Sequence, residues 1–568
     1  MVRTPHQPST MQKTLGKATS TADRVDSPYS YPDHILDVLV IGAGFAGCYL
    51  LHTLRKAGFR TKIIEAGSDY GGVWHWNSYP GARVDSQWPI YALGIPEVYE
   101  NWSWSEQYPG EKELKRYFRF VGEKLDLRRD TEFGKKVVSA EWDEEEKEWK
   151  VKCDDGFLVH TKFLIAGIGF AAKRYFPPWK GLDSFEGVMH HSSFWPEEGV
   201  DVKGKRVAVV GTGATGLQII QEWGKEIGEE GSLTVFQRTP PTAGPMRQKK
   251  ISKEEHEEMM ARLPDVYKQR LETESGFTYT VQTELKMADH TVEEREKFFE
   301  GLWQMGGFRM FSNNYGDMMT NRETNEAAYN FWARKTRARV HDPRKRDLVA
   351  PLEPLHVFCG KRPSLEQDYY EQYNKKNVDI VDLRVNPIED IVPKGVLMAD
   401  GTVHECDIIA MATGFDMVTG GLKDIDIRGS NGELLREKWD KGTYTHLGMT
   451  TSSFPNFFFL YGPQGPTAHA NGPSCVEPQA DWILGVLQHM RDEGLVKLEA
   501  RPEAEERWKQ LVHDKSVVSL RHTMLSSFNG GNIPGKKVEP LNYAGGLPDY
   551  ISRIWKEREE GLGGFALS

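Results

Sequence analysis

Two places in the chain show the same change of pattern. The apolar run Val38-Leu39-Val40-Ile41 leads into Gly42-Ala43-Gly44-Phe45-Ala46-Gly47, and Val207-Ala208-Val209-Val210 leads into Gly211-Thr212-Gly213-Ala214-Thr215-Gly216. An unbroken apolar run of this length predicts a strand buried on both faces of a parallel sheet. The glycines that follow let the backbone turn sharply and approach a pyrophosphate lying on the N-terminus of the next helix. One such loop is a weak sign. Two of them, each in strand–loop–helix context, predict two dinucleotides bound by one chain.

The second strand of each unit tells the sites apart. Thr61-Lys62-Ile63-Ile64 ends in Glu65, an acid 18 residues beyond Gly47. A carboxylate there accepts from a ribose diol and repels a 2′-phosphate, which suits the ADP part of FAD, or NAD. In the other unit Leu233-Thr234-Val235-Phe236-Gln237 runs into Arg238 and Thr239, with no acid. A guanidinium pairs with phosphate through two parallel hydrogen bonds, so the second site favours NADPH over NADH.

Other patterns place the remaining elements. Glu148-Trp149-Lys150-Val151-Lys152-Cys153 alternates and predicts an antiparallel strand. Buried strands are predicted at 163–169, 378–383 and 407–412, and small residues at Gly167 and Gly414 mark crossings between domains. From 251 to 339 the chain is charged and helical, and its charge runs read as solvated faces. The expected fold is α/β, with two Rossmann-like dinucleotide-binding domains and a helical insertion in the second. An N-terminal extension (1–35), disordered or wrapped on the surface, precedes the FAD domain in two parts (36–170 and 412–568). The NADP domain also comes in two parts (171–244 and 346–411), split by the insertion (245–345). A mobile lid is expected near 525–537.

Composition removes several classes. At 568 residues the chain holds two or three domains. With 72 Lys and Arg against 82 Asp and Glu, the net charge of −10 gives no reason to expect nucleic acid or an anionic membrane. No apolar run nears the ~20 residues of a membrane span; stretches such as 456–461 are strand-sized. The five cysteines are odd in number and none has Cys-x-x-Cys spacing. That argues for a reducing, cytoplasmic location and against a dithiol–disulfide reductase, the other large class combining FAD with NADPH. No His/Cys cluster reads as a metal site. Residues 1–22 carry Arg3, Lys13 and Lys17 without an acid, a faint transit-peptide character offset by Pro5 and Pro8.

Between the loops stands Phe185-Glu186-Gly187-Val188-Met189-His190-His191-Ser192-Ser193-Phe194-Trp195-Pro196. Read as residues, Phe185 and Trp195 are core aromatics, His191 a satisfied loop histidine and Pro196 a stop. Read as a pattern, Phe-x-Gly-x-x-x-His-x-x-x-Trp-Pro resembles the fingerprint of type I Baeyer–Villiger monooxygenases, and the resemblance extends over roughly 37–550. It implies that the stretch from Gly71 to Asp85 passes along the flavin, with Gly72, Val73, Trp74 and Tyr79 at the cofactor and Asp85 facing the reaction. It implies that Lys361 helps hold the 2′-phosphate, with Arg238 and Thr239, and that Arg362 sits over the flavin. Gln218, on the helix after the second loop, belongs to the same cofactor set. The segment 531–537, with Asn532, closes over NADP. Many members carry a Trp where this chain has Ser527, followed by Phe528, so the clamp on the nicotinamide side differs here. With Gly530 and Gly531, Ser527 hints at a roomy lid and bulky or cyclic substrates.

The implied activity uses NADPH, FAD and O2 to convert a ketone into an ester or lactone through a flavin C4a-peroxide. The cofactor carries the redox chemistry, and the protein supplies orientation and charge. Arg362 is the fixed cation beside the activated oxygen, and Asp85 its orienting carboxylate. His191 is expected to act on structure or domain motion. The competing readings are a flavin-containing monooxygenase of amines or sulfides, which needs no such arginine, and a non-catalytic NADPH-sensing scaffold. A monomer or weak dimer is expected.

Overall fold

The computed structural model describes residues 35–279 and 284–568. The expected extension lies outside them except for Ile35, which opens the first strand.

The chain begins a first sheet with Ile35–Ile41 (β1), Thr61–Ile64 (β2), Thr131–Glu132 (β3), Val137–Asp143 (β4), Glu148–Cys153 (β5) and Leu158–Ala166 (β6). It then leaves to build a second sheet from Val188–His191 (β7), Arg206–Val210 (β8) and Ser232–Gln237 (β9). A short parallel pair, Ala243–Pro245 (β10) and Ser364–Glu366 (β11), brackets the helical stretch. Val378–Asp382 (β12) returns to the second sheet. Ile388–Val392 (β13), Gly395–Met398 (β14) and Val403–Glu405 (β15) form an antiparallel sheet of their own, and Ile408–Met411 (β16) completes the second. Asp426–Arg428 (β17) and Phe457–Phe459 (β18) rejoin the first.

The first sheet runs β17-β4-β5-β6-β1-β2-β3. β5 pairs antiparallel with the start of β6, and β18 takes over as its parallel neighbour at Leu164–Ala166. The central strands end level, with Ile41 opposite Ile64 and Ala166, and Ala166 opposite Phe459. The second sheet is wholly parallel in the order β12-β9-β8-β16-β7, with Val210 opposite Phe236 and Met411, and Met411 opposite His191. Level carboxyl ends leave a crevice into which the loops project, where open α/β sheets take their ligands. This is the α/β architecture with two Rossmann-like units that the pattern predicts.

The helical stretch runs from Lys253 to Val349. The helices at Lys253, Val292 and Arg322 start at side-chain caps: Ser252 with Glu255, Thr291 with Glu294, and Asn321. Helix Lys253–Met260 buries no residue, so its charges are solvated as expected. Helices Val292–Met305 and Arg322–Arg337 bury Trp303 and Trp332 in the core of the second sheet, which also takes in Ile90 and Tyr108 from the first unit. The insertion therefore packs against both halves of the molecule. No described helix is long and apolar enough to cross a membrane.

Candidate active site

The first loop leaves β1 through Gly42, whose φ of +102° belongs to glycine and whose missing Cβ would lie 2.7 Å from the Gly167 carbonyl. Helix Phe45–Lys56 starts directly after Gly44. Gly72, at φ +54°, brings its backbone against Gly44, where a Cβ would stand 3.0 Å from the Gly44 Cα. Two bare backbones meeting over a helix N-terminus form a slot that a single methyl would fill. That fits a pyrophosphate-bearing group such as the ADP part of FAD.

Glu65 is buried at the end of β2. Its two oxygens accept from the amides of Ala43 (2.7 Å) and Gly67 (2.6 Å). Burial pushes its carboxyl up, against the lowering effect of these amides. The acid that spacing marks as a ribose acceptor thus also ties down the glycine loop, a second duty the sequence did not reveal. Each oxygen keeps lone-pair capacity for a ribose. Phe45 packs edge-on to Tyr91 (5.0 Å) and Phe118 (4.7 Å), and Ala46 packs toward Gly167. Trp74 donates to the Tyr91 hydroxyl at 3.0 Å, while Val73 beside it is exposed.

The second loop repeats the plan. Gly211 turns against the Ala412 carbonyl, and a Cβ on Gly213 would meet nothing within 4 Å, so the helix from Ala214 opens onto free space. Thr212 donates to the Thr239 carbonyl at 2.8 Å. Lys361 Nζ donates to Thr239 Oγ1 at 3.1 Å, close enough to Arg238 to be repelled by it. Burial, then Arg238, holds the Lys361 ammonium below the usual lysine range. Among the described residues neither cation has an acidic partner within ion-pair distance. Two such cations beside a helix N-terminus fit a phosphate beyond the pyrophosphate.

Tyr79 and Gln218 join the two halves. Tyr79 donates to Gln218 Oε1 at 2.9 Å, and Gln218 Nε2 donates to the Arg83 carbonyl at 3.1 Å. Thr215 also hydrogen-bonds Tyr79, whose phenol burial pushes up to about 12. Two residues on, Asp85 Oδ2 accepts from Arg362 Nη2 at 2.6 Å. The side chain of Arg362 is 39% exposed and that of Asp85 18%, which leaves the guanidinium open on one side. The Asp85 charge raises the Arg362 pKa further, against burial, so this cation is permanent. Tyr91 and Tyr461 stand near it. Adjacent residues therefore turn opposite ways: Lys361 to the end of β9, and Arg362 to the crevice between the first loop and the end of β18.

The stretch 185–196 lies where the chain passes from the first sheet to the second. His191 Nδ1 accepts from the Ser193 amide (3.1 Å) and Nε2 donates to the Gly414 carbonyl (3.1 Å). Burial pushes this imidazole down to about 4. It is a neutral tie between the end of β7 and the linker after β16. Phe194 donates its amide to the Trp76 carbonyl (2.9 Å), and Trp195 is buried against Trp223. In the segment 525–537, Asn532 donates to the Phe415 carbonyl (3.1 Å) and Lys536 to Asp416 (2.6 Å), so this segment rests on the same linker. Half-buried Ser527 leaves the packing to Phe528, which meets His469 edge-on at 4.9 Å. These two rings, with Met318, Met319 and Asn542, line a cavity of about 730 Å³ between insertion and lid.

The fold and this site define a flavoprotein class with two dinucleotide crevices and a fixed cation between them. Residues 36–273 match the family described as pyridine nucleotide-disulphide oxidoreductase. The chain is 42% identical over 554 residues to cyclopentanone 1,2-monooxygenase of Comamonas, covering 97% of this chain and 99% of that one. It is 35% identical over 528 residues to a Baeyer-Villiger monooxygenase of Pseudooceanicola batsensis, covering 92% and 95%. The crystal structure of OTEMO with FAD and NADP superposes with a TM-score of 0.89 at 35% identity, covering 94% of this chain and 99% of that one. The chain belongs to the Baeyer–Villiger monooxygenases, NADPH-dependent flavoproteins that bind FAD and NADP.

Proposed function

We propose that this protein inserts one oxygen atom of O2 beside a ketone carbonyl, giving an ester or lactone, while the second atom leaves as water and NADPH is oxidised. The observation that carries this reading is the Arg362–Asp85 pair, formed across 277 residues of sequence at the crevice of the first sheet. FAD, when bound, supplies the redox chemistry and oxygen activation. The loop Gly42–Gly47, Glu65 and the segment from Gly72 to Asp85 hold it. Thr212, Gly213, Arg238, Thr239 and Lys361 hold NADPH, whose 2′-phosphate meets the two cations. Arg362 places a positive charge where the carbonyl oxygen gains negative charge, worth several kcal/mol in a site closed to water. Asp85 fixes the guanidinium's orientation, and the lid carrying Asn532 and Lys536 excludes water.

The domain limits we propose are 36–170 and 412–568 for FAD, and 171–244 and 346–411 for NADP, with 245–345 inserted. The exit of the chain from the first sheet after β6 and its return at β17 support them. The small residues Ser527, Gly530 and Gly531 support a bulky or cyclic ketone. Five buried free cysteines support a cytoplasmic location. A monomer or weak dimer is our reading of the assembly, because one chain supplies both crevices. The test is turnover of cyclic, linear, aromatic and steroid-like ketones under ¹⁸O2, with a sulfide panel alongside. The expected product is an ester or lactone two mass units heavier than with ordinary oxygen. Oxidised sulfides with every ketone untouched would favour the amine or sulfide oxidant instead.

A further inference from the structure

We infer that Arg270, a residue of the helical insertion, is a positioning residue for the reaction: it clamps the backbone on either side of Tyr91 and so sets that phenol beside the Arg362–Asp85 pair. The inference rests on the role proposed above for that pair.

Arg270 is fully buried, although it stands among charged, solvated neighbours in sequence. One nitrogen, Nη1, donates to the carbonyls of both Ile90 and Ala92 at 2.9 Å each. The other, Nη2, pairs with Glu477 on helix Gly472–Asp492 of the first unit. The Tyr267 ring stacks against the guanidinium at 4.5 Å. Glu477 in turn accepts from the Gly94 amide at 2.7 Å, and the Tyr117 hydroxyl accepts from the Leu93 amide at 2.8 Å. A Cβ on Gly94 would lie 2.9 Å from the Glu477 carboxylate and 3.1 Å from Arg270 Nη2, so a glycine is what lets the ion pair reach the loop.

Residues 90–94 form neither strand nor helix. Beyond a turn bond from the Ile90 amide to the Gln87 carbonyl, the bonds that fix their path come from side chains: Arg270 from the insertion, Tyr117 and Glu477 from the first unit. Tyr91 is held at the centre of this loop. Its hydroxyl accepts from Trp74, its ring packs on Phe45 of the first glycine loop, and it lies near enough to Asp85 and Arg362 to feel both charges. A planar fork suits this task, since it serves two carbonyls and a carboxylate at once. The structure thus links an insertion outside both crevices to the flavin-side wall of the reaction site. Loss of the fork would free Tyr91, and with it the register of Arg362 against the bound cofactor.

The test compares the double variant Arg270→Met/Glu477→Gln, which removes both buried charges together, with Arg270→Lys, which keeps the charge without the fork. Flavin content, the anaerobic rate of flavin reduction by NADPH, and ester formed per NADPH consumed are measured for each. In flavin-replete double variant, reduction stays within about three-fold of wild type, while ester per NADPH falls at least five-fold and hydrogen peroxide accounts for the difference. Arg270→Lys lies between. If every flavin-replete variant couples as wild type, the assignment falls. It also falls if neither variant holds flavin, because Arg270 is then a folding determinant. Arg362→Ala, run in parallel, separates the two ideas: normal ester formation in that variant would sink the reading of the pair itself, whatever Arg270 does.

Discussion

Replacing Lys361 with alanine probes the split between the two dinucleotide sites. Lys361 donates to Thr239 Oγ1 and has Arg238 as a neighbour rather than an acid. A hydrogen bond between a charged donor and a phosphate contributes about 1.5–3 kcal/mol. Lys361 is half-buried, so the lower part of that range applies, about 1.5–2 kcal/mol. At a factor of ten per 1.4 kcal/mol, kcat/KM for NADPH falls about 10–30-fold. For NADH, which has no 2′-phosphate, it stays within about two-fold. Since the ammonium sits below the usual lysine range, NADPH binding at alkaline pH should also take up a proton. The assay is steady-state kinetics with both coenzymes at saturating ketone. Equal losses for NADPH and NADH would refute the assignment of the second crevice to the phosphorylated coenzyme.

His191 and Gly72 give two further tests. The His191 pKa drops from an ordinary 6.5 to about 4 on folding, so the unfolded chain binds more protons in that window; stability is full above pH 6.5 and is lost as pH falls toward 4. From pH 7 to pH 5 this one residue removes about 2 kcal/mol, and His191→Asn should flatten urea-unfolding stability by that amount; an unchanged pH dependence would contradict the neutral tie to Gly414. Gly72→Ala forces a side chain into the left-handed region, a penalty of about 1–2 kcal/mol, and fills the slot against Gly44. The purified variant should carry less than a tenth of the wild-type flavin with an unchanged far-UV spectrum, and a full flavin load would show that the slot is not the cofactor's.

The parts of this molecule that were legible in sequence are those whose physics is local. Val38–Ile41 of β1 and Val207–Val210 of β8 are apolar throughout because both faces are covered there, and glycines follow because Gly42 and Gly211 must turn at positive φ against a neighbouring strand. β5 alternates because, between β4 and β6, it turns Trp149, Val151 and Cys153 to the core and Lys150 and Lys152 away from it. Asp85 and Arg362 were marked through two separate motifs, yet nothing in their spacing shows that they touch. Glu65 was found by its distance from the loop, but its bonds to Ala43 and Gly67 were not, since amides leave no mark in sequence. Arg270 was missed for a plainer reason: it follows Arg262 and Lys268 in a charged stretch, and only the packing of the insertion on residues 89–94 shows that it is buried. Ser527 stands out in the sequence as a departure, whereas the contact of Phe528 with His469 is visible only in the folded chain.

The most direct measurement follows Arg362→Ala through both halves of the reaction. Anaerobic mixing with NADPH reports flavin reduction, and mass spectrometry after aerobic turnover reports product. With a permanent cation required only where oxygen meets ketone, the variant reduces its flavin at a rate close to wild type and forms no detectable ester. Ester formation at the wild-type rate would contradict the account at its centre.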